Sequence, residues 1–424
     1  MTAQPTPTIS RVLIDGTMID LLYDAEAGTT ALAICPPQGK SFVVDQFTTD
    51  DGEVLVPYGS SNNLLVAGCV LLPSGIGDMD DKAALLADIR AFINRYVSLS
   101  PLFEEIAAHY ILLSWVHDAF NEMPYLRLTG GYGAGKTRGL LVLGSLAYKG
   151  FFASGASTVS PIFHILHEFG GSLVLDEADL KFSDKTADLV KILNNGTMKG
   201  LPVLRTMTNR YRELNPQAFR VFGPKVVAMR QHFQDEALES RFLTEDMDAC
   251  ALRADIPIHL SNAMKEEALV LRNRLLAWRF AMRHRVGIDP GKAIAGLSPR
   301  GNQMALPLLS LMDDPALRDA MATRLAMVEA QAAARRSNLP HVAMTGVLDR
   351  LFRELPQVPV ARIAEAFNAV AESPLPVRSV GHILRSDLGL STTKTRGVYV
   401  VPASERGKVR ELAERYVLQE PAQT

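Results

Sequence analysis

The chain has 424 residues, room for two or three domains with cores of their own. Its 47% hydrophobic and 21% charged residues make an ordinary globular composition, and a net charge of −2 excludes a generally basic nucleic-acid coat. The three cysteines, Cys35, Cys69 and Cys250, have no metal-ligand spacing, the most apolar stretch (110–116) is too short to span a bilayer, and 1–10 lacks an export-signal pattern. These features predict a cytoplasmic protein with reduced thiols and no membrane partner.

From 11 to 72, short β-branched runs alternate with turn residues. Asp15-Gly16 and Asp51-Gly52 are the clearest turn signals. This β-rich region carries no catalytic constellation. Two helices are predicted next. The first, 82–97, has Leu85, Leu86, Ile89, Phe92, Ile93 and Tyr96 at helical spacing. The second, 101–120, opens with Ser100 as N-cap and Pro101 at its first position. Trp115 and His117 on it read as packing residues.

A short apolar strand, 124–129, then runs into Gly130, Gly131, Tyr132, Gly133, Ala134, Gly135, Lys136 and Thr137. These eight match G-x-x-x-x-G-K-[ST] at every fixed position. The pattern assigns each residue a task around a nucleoside triphosphate. Glycines let the backbone N–H groups converge on phosphate oxygens. Lys136 reaches the β- and γ-phosphates, and the Thr137 hydroxyl ligates Mg²⁺. The apolar segment 138–147 suits the helix whose N-terminus receives the phosphates. No Asn-Lys dipeptide of the guanine-reading kind occurs, so ATP is the expected nucleotide.

Further along, a strand is expected at 151–155 and a helix at 160–169, where His164 and His167 lack a third ligand and read as ordinary helix residues. The buried-strand run Ser172-Leu173-Val174-Leu175 ends in two adjacent carboxylates, Asp176 and Glu177. An acid there can hold Mg²⁺, and the acid beside it can serve as general base on an attacking water. A helix (186–194), a strand or hairpin beginning near 200 and a strand at 225–229 follow. Arg241 comes after a short helix and just before a new apolar segment. An Arg so placed can act as an arginine finger on a neighbouring subunit's nucleotide. The competing reading pairs it with Glu239 or Asp246 on the surface.

The region 261–338 is helical, with Arg272, Arg274, Arg279, Arg283 and Arg285 on its first helix reading as a solvated face. Arg300 is a further candidate for sensing bound nucleotide. Helices at 342–354, 360–371 and 377–387 and a strand–turn–strand at 392–401 outline a winged helix. Between 377 and 396 stand four basic residues, Arg378, Arg385, Lys394 and Arg396, against one acid, Asp387, with His382 among them. These five are the candidate DNA contacts, helix residues toward bases and wing residues toward phosphates.

Taken together, Gly130 through Thr137, Leu173-Val174-Leu175-Asp176-Glu177 and Ser240-Arg241 resemble the AAA+ branch of the P-loop ATPases. More narrowly the chain looks like helicase-like ATPases of plasmids, prophages and other mobile elements, relatives of the MCM-type and superfamily 3 helicases. Pro124-Tyr125-Leu126-Arg127-Leu128, Gly223-Pro224-Lys225-Val226-Val227-Ala228 and Ala237-Leu238-Glu239 carry that narrower likeness. The expected fold class is therefore α/β. A small β-rich N-terminal region spans 1–75, a P-loop AAA+ core (a parallel sheet flanked by helices) 76–260, a helical lid 261–338, and a winged helix 339–424. The resemblance implies ATP and Mg²⁺ held between subunits of a homo-oligomeric ring such as a hexamer. It also implies a polar sensor after the fourth core strand, where this chain reads Arg230-Gln231 instead of Asn or Thr. The expected function is an ATP-hydrolysing, DNA-associated motor, a helicase or replication-initiation ATPase of a mobile genetic element. A nucleotide-switched winged-helix transcription regulator and an AAA+ protein remodeller are the alternatives.

Overall fold

Five short strands from the middle of the chain pair in parallel, in the order Phe242–Asp246, Tyr125–Thr129, Lys225–Met229, Leu173–Asp176, Phe151–Ser154. They come from a computed structural model that describes residues 4–78, 81–154, 157–176, 184–208, 214–230, 233, 235–250, 253–337, 339–371 and 373–417. The strand feeding the glycine loop is thus internal, and one strand separates it from the strand ending in Asp176. Tyr125–Thr129 and Lys225–Met229 are buried along their whole length, as strands covered on both faces must be.

Helix Lys136–Leu146 packs directly on this sheet. A Cβ on Gly139 would come within 2.5 Å of Leu128, and one on Gly144 within 2.7 Å of Val174. Glycine at these positions is what lets the helix lie so close. Helix Pro101–Trp115 is buried from Ile106 to Trp115, and the Trp115 indole donates to the Leu146 carbonyl at 2.8 Å. Helices Val159–Phe169 and Asp184–Asn195 complete the cover, and an antiparallel hairpin, Val203–Thr208 with Leu214–Phe219, follows the second. At the hairpin's foot the Lys225 ammonium is fully buried. It donates to the carbonyls of Val221 (2.9 Å), Gly223 (3.0 Å) and Gly196 (3.4 Å) and lies over the Tyr125 ring. Burial pushes its pKa down to about 7.

The N-terminal strands are continuous with this unit. Ser10–Val12, Met18–Asp24, Thr29–Cys35 and Phe42–Val44 form an antiparallel sheet, and Gly16 turns its first hairpin at φ +93°. Their inward residues Ile19, Leu21, Leu32 and Ile34 share one core with Tyr125, Phe151, Leu173 and Val227. Asp20, buried beneath that sheet, accepts from Tyr148 and from Arg279 Nε (2.9 Å), while Arg279 also makes two bonds to Asp118 at 2.8 and 3.0 Å. Arg272 is buried too, donating to the carbonyls of Leu72 and Ser145. The arginines of helix Asn262–Met282 are therefore not all on a solvated face: Arg272 and Arg279 hold distant segments together from inside. Two further helices, Pro299–Ser310 and Pro315–Ser337, follow it, each opening on a proline at its first position.

The chain divides into two compact units, 1–293 with 298–320, and 294–297 with 321–424. In the second, helices Pro340–Glu354, Val360–Asn368 and Val377–Ser386 pack around Met344, Leu348, Ile363, Phe367, Val380 and Leu384. A three-stranded antiparallel sheet (Val358–Pro359, Val398–Val401, Thr393–Thr395) and a last helix, Arg406–Val417, complete it. Arg396 (φ +49°) and Gly397 (φ +86°) form the two-residue turn of its hairpin. Two successive positive φ values are the geometry that matches the strand twist.

Candidate nucleotide-binding site

The glycine loop lies at the carboxyl end of the internal strand, where open parallel sheets place their ligands. Gly130, Gly133 and Gly135 have φ values of +148°, +80° and +87°, conformations that side chains disfavour, so the loop needs glycine at all three. The helix starting at Lys136 has Gly135 as N-cap and no side-chain cap. Its first N–H groups, at Lys136, Thr137 and Arg138, lack intrahelical partners and point out along the axis. Lys136 Nζ donates to the carbonyls of Gly130 (2.7 Å) and Gly131 (2.5 Å), which holds the ammonium against the loop. Tyr132 stands fully exposed on the loop.

Across the intervening strand, the Thr137 hydroxyl donates to Asp176 Oδ2 at 2.7 Å. A hydroxyl and a carboxylate meeting beside an uncapped helix N-terminus fit a hard cation paired with an anion. Mg²⁺ with a triphosphate has that chemistry. Glu177, the expected general base, lies outside the described residues. Among the described residues no group of three or more His, Cys, Asp or Glu side chains could hold a metal ion. His164 and His167 instead lie edge-on against Phe219.

Arg241 is elsewhere. Its carbonyl accepts from Tyr125 N–H at 2.9 Å, at the opposite end of the strand from the loop. At about 3.3 Å per residue, the strand puts roughly 13 Å between that point and Thr129. The Arg241 guanidinium donates to the Ala237 carbonyl (2.5 Å) and the Thr197 hydroxyl (3.3 Å). Among the described residues it has no carboxylate partner. Burial, and then the neighbouring Arg300, depress its pKa. Arg300 donates to the same Ala237 carbonyl at 2.7 Å and to the Ser240 hydroxyl at 2.7 Å. The structure thus groups Arg241 with Arg300 and separates both from Lys136, Thr137 and Asp176. Gln231, in the expected sensor position, is also outside the described residues.

Sequence reasoning missed one residue at the loop. Asp248 Oδ2 accepts the Gly131 N–H at 2.7 Å. It lies 117 residues further along the chain, and no local pattern marks it.

In the second unit, Arg378, His382 and Arg385 are exposed on helix Val377–Ser386, whose Val380, Gly381 and Leu384 are buried, and the Arg385 guanidinium lies beside Gly381. Arg385 also donates to the Thr392 hydroxyl at 3.3 Å, which ties this helix to the start of the hairpin. Lys394 and Arg396 are exposed on that hairpin, Lys394 directly across from Tyr399. The five candidate DNA contacts therefore belong to one small module.

No protein-family model matches the chain, and no curated protein matches it. Among solved structures it is similar to the apo C-terminal region of NrS-1, at 11% identity and a TM-score of 0.38, covering 90% of this chain and 95% of that one. It is also similar to JCV helicase, at 14% identity and a TM-score of 0.24, covering 58% of this chain and 66% of that one. Likenesses this loose add nothing to the fold read from the strands themselves. Among the described residues no helix is long and apolar enough to cross a membrane.

Proposed function

We propose that this chain is an ATP-hydrolysing motor that works on DNA, a helicase or replication-initiation ATPase of a mobile element in the MCM and superfamily 3 circle. The observation that carries the ATPase reading is the 2.7 Å contact between Thr137 and Asp176 beside the uncapped helix N-terminus. In this reading the loop N–H groups and Lys136 bind the phosphates, and Thr137 and Asp176 hold Mg²⁺. The ion supplies charge that offsets the developing charge on the transferred phosphoryl group. Glu177 accepts the proton of the attacking water. Arg241 cannot serve its own loop from the far end of the strand, which supports its acting on a neighbouring subunit's nucleotide in a homo-oligomeric ring such as a hexamer. The helices at 261–338 form the lid. The module at 339–424 is a winged helix that presents Arg378, His382 and Arg385 to base edges and Lys394 and Arg396 to phosphates.

The test is Mg²⁺-dependent ATP hydrolysis by the full chain, with and without single- and double-stranded DNA. DNA-stimulated turnover, lost in Lys136→Ala and in Glu177→Gln while the latter still binds nucleotide, is the expected result. Parental turnover in Lys136→Ala would remove the loop from the account. Turnover indifferent to DNA would favour a protein remodeller, and DNA stimulation without strand displacement on a forked duplex would favour a regulatory switch.

A further inference from the structure

Strand Phe242–Asp246 ends beside the phosphate loop and continues into a single 3₁₀ turn, Met247–Ala249. Asp246 caps that turn by accepting the Asp248 N–H at 3.1 Å, while Met247 is buried with its methyl group against Gly135. Asp248 is thereby aimed at the loop, and its carboxylate accepts the Gly131 N–H at 2.7 Å. A Cβ on Gly130 would lie 3.3 Å from the same carboxylate, so the opening glycines let the acid sit hard against the backbone. Gly131 is engaged from both sides, since its carbonyl takes the Lys136 ammonium at 2.5 Å. One residue of the loop thus bridges an internal anion and an internal cation.

We infer that Asp248 sets nucleotide affinity and exchange: its hydrogen bond shapes the mouth of the loop while its charge repels the incoming triphosphate. The inference rests on the reading of the loop as a nucleotide site. The sign follows from electrostatics. The Gly131 N–H is already taken by a full negative charge, and the Lys136 ammonium that must meet the phosphates sits on the carbonyl of that same residue. Asp248 is solvent-exposed, so water screens the repulsion and the effect is modest, about three- to tenfold in affinity. A bound triphosphate leaves faster for the same reason.

Charge and hydrogen bond separate by substitution. Asp248→Asn keeps an oxygen acceptor and removes the charge, and Asp248→Ser is a second neutral variant at the same exposed position. The measurement is equilibrium binding and stopped-flow release of a fluorescent ATP analogue with Mg²⁺ on the full chain, with thermal unfolding of each variant as the folding control. Asp248→Asn is expected to bind about three- to tenfold tighter and to release correspondingly more slowly. Binding and release equal to the parent in both neutral variants, or weaker binding in Asp248→Asn, would overturn the inference. A parent that binds the analogue and a Lys136→Ala variant that does not establish the site independently of Asp248. Failure of the parent itself to bind would instead overturn the nucleotide reading beneath it.

Discussion

The Arg127 guanidinium, buried in the middle of the strand that feeds the phosphate loop, grips the Glu239 carboxylate with Nη1 at 2.5 Å and Nη2 at 2.7 Å. The same guanidinium stacks on Phe242, and Glu239 also accepts the Phe233 N–H. Glu239 is therefore committed to Arg127, and the alternative in which it neutralises Arg241 does not occur. The short helix that precedes Arg241 is thus fastened to the strand that feeds the phosphate loop.

Breaking that fastening is expected to cost stability. Glu239→Ala takes the carboxylate away from a buried guanidinium and should destabilise the chain by about 3 kcal/mol. Replacing both partners together, Arg127→Met with Glu239→Leu, should be far milder because no buried charge remains. Urea unfolding of the three variants tests this. A Glu239→Ala loss well under 1 kcal/mol would show the pair to be dispensable.

Arg241→Ala should bind nucleotide as the parent does yet hydrolyse it about a thousandfold more slowly, the lower end of the range for a lost arginine finger. Mixing it with Lys136→Ala subunits should recover part of the activity. Some interfaces then join an intact loop to an intact Arg241. A monomeric parent by light scattering, together with no recovery in freely exchanging mixtures, would rule out action across a subunit boundary. Arg300→Ala, which removes the second guanidinium on the Ala237 carbonyl, should slow hydrolysis in the same direction without altering nucleotide affinity.

For DNA, the double change Lys394→Ala with Arg396→Ala should weaken binding to all sequences alike. It should also reduce the slope of log affinity against log salt by up to about 2, because two fewer counterions are released. Arg378→Ala and His382→Ala should shift sequence preference instead. Deleting 339–424, which carries a core of its own, should leave basal ATPase largely intact. Anisotropy titrations at several salt concentrations separate these outcomes, and unchanged DNA affinity after the deletion would exclude the module from DNA binding.

Acid should unfold the chain through two histidines. His109 donates from Nδ1 to the Glu105 carbonyl and His117 from Nδ1 to the Ser114 carbonyl, and burial pushes both pKa values down to about 4. In the unfolded chain they take up protons near pH 6.5. Between about pH 6.5 and 4 the unfolded state binds more protons, so stability is full above that window and falls as pH drops through it. Each full titration is worth on the order of 3 kcal/mol. Denaturant unfolding at pH 7 and pH 5 should show the loss, and His117→Phe should shrink it. An unchanged pH dependence in that variant would assign acid sensitivity elsewhere.

What the sequence made legible was local. The glycines, Lys136 and Thr137 are adjacent in the chain, and the run Leu173-Val174-Leu175 announces a buried strand with its acid at the end. The three helices and hairpin after 339 follow from spacing and turn residues alone. What stayed hidden depended on partners far away in sequence. Arg272 and Arg279 look like surface charges on a helix, and only the carbonyls of Leu72 and Ser145 and the carboxylates of Asp20 and Asp118 turn them inward. Asp248 follows an ordinary strand, and nothing near it points to Gly131. The last helix, Arg406–Val417, carries few apolar residues and escapes a search for hydrophobic period.

The caged Lys225 has a different kind of consequence. Three inward-facing carbonyls and an aromatic ring make the sort of nook in which a protein could lodge a potassium ion, and here the chain has supplied the cation itself, as the Lys225 side-chain ammonium. A cation tethered to the chain cannot be stripped out by a chelator, as a bound ion could. Its sensitivity is to protons instead. Burial holds the pKa of this ammonium at about 7, against about 10.4 in an unfolded chain, so the unfolded state binds the proton more tightly and stability falls as pH drops from about 10.4 toward 7.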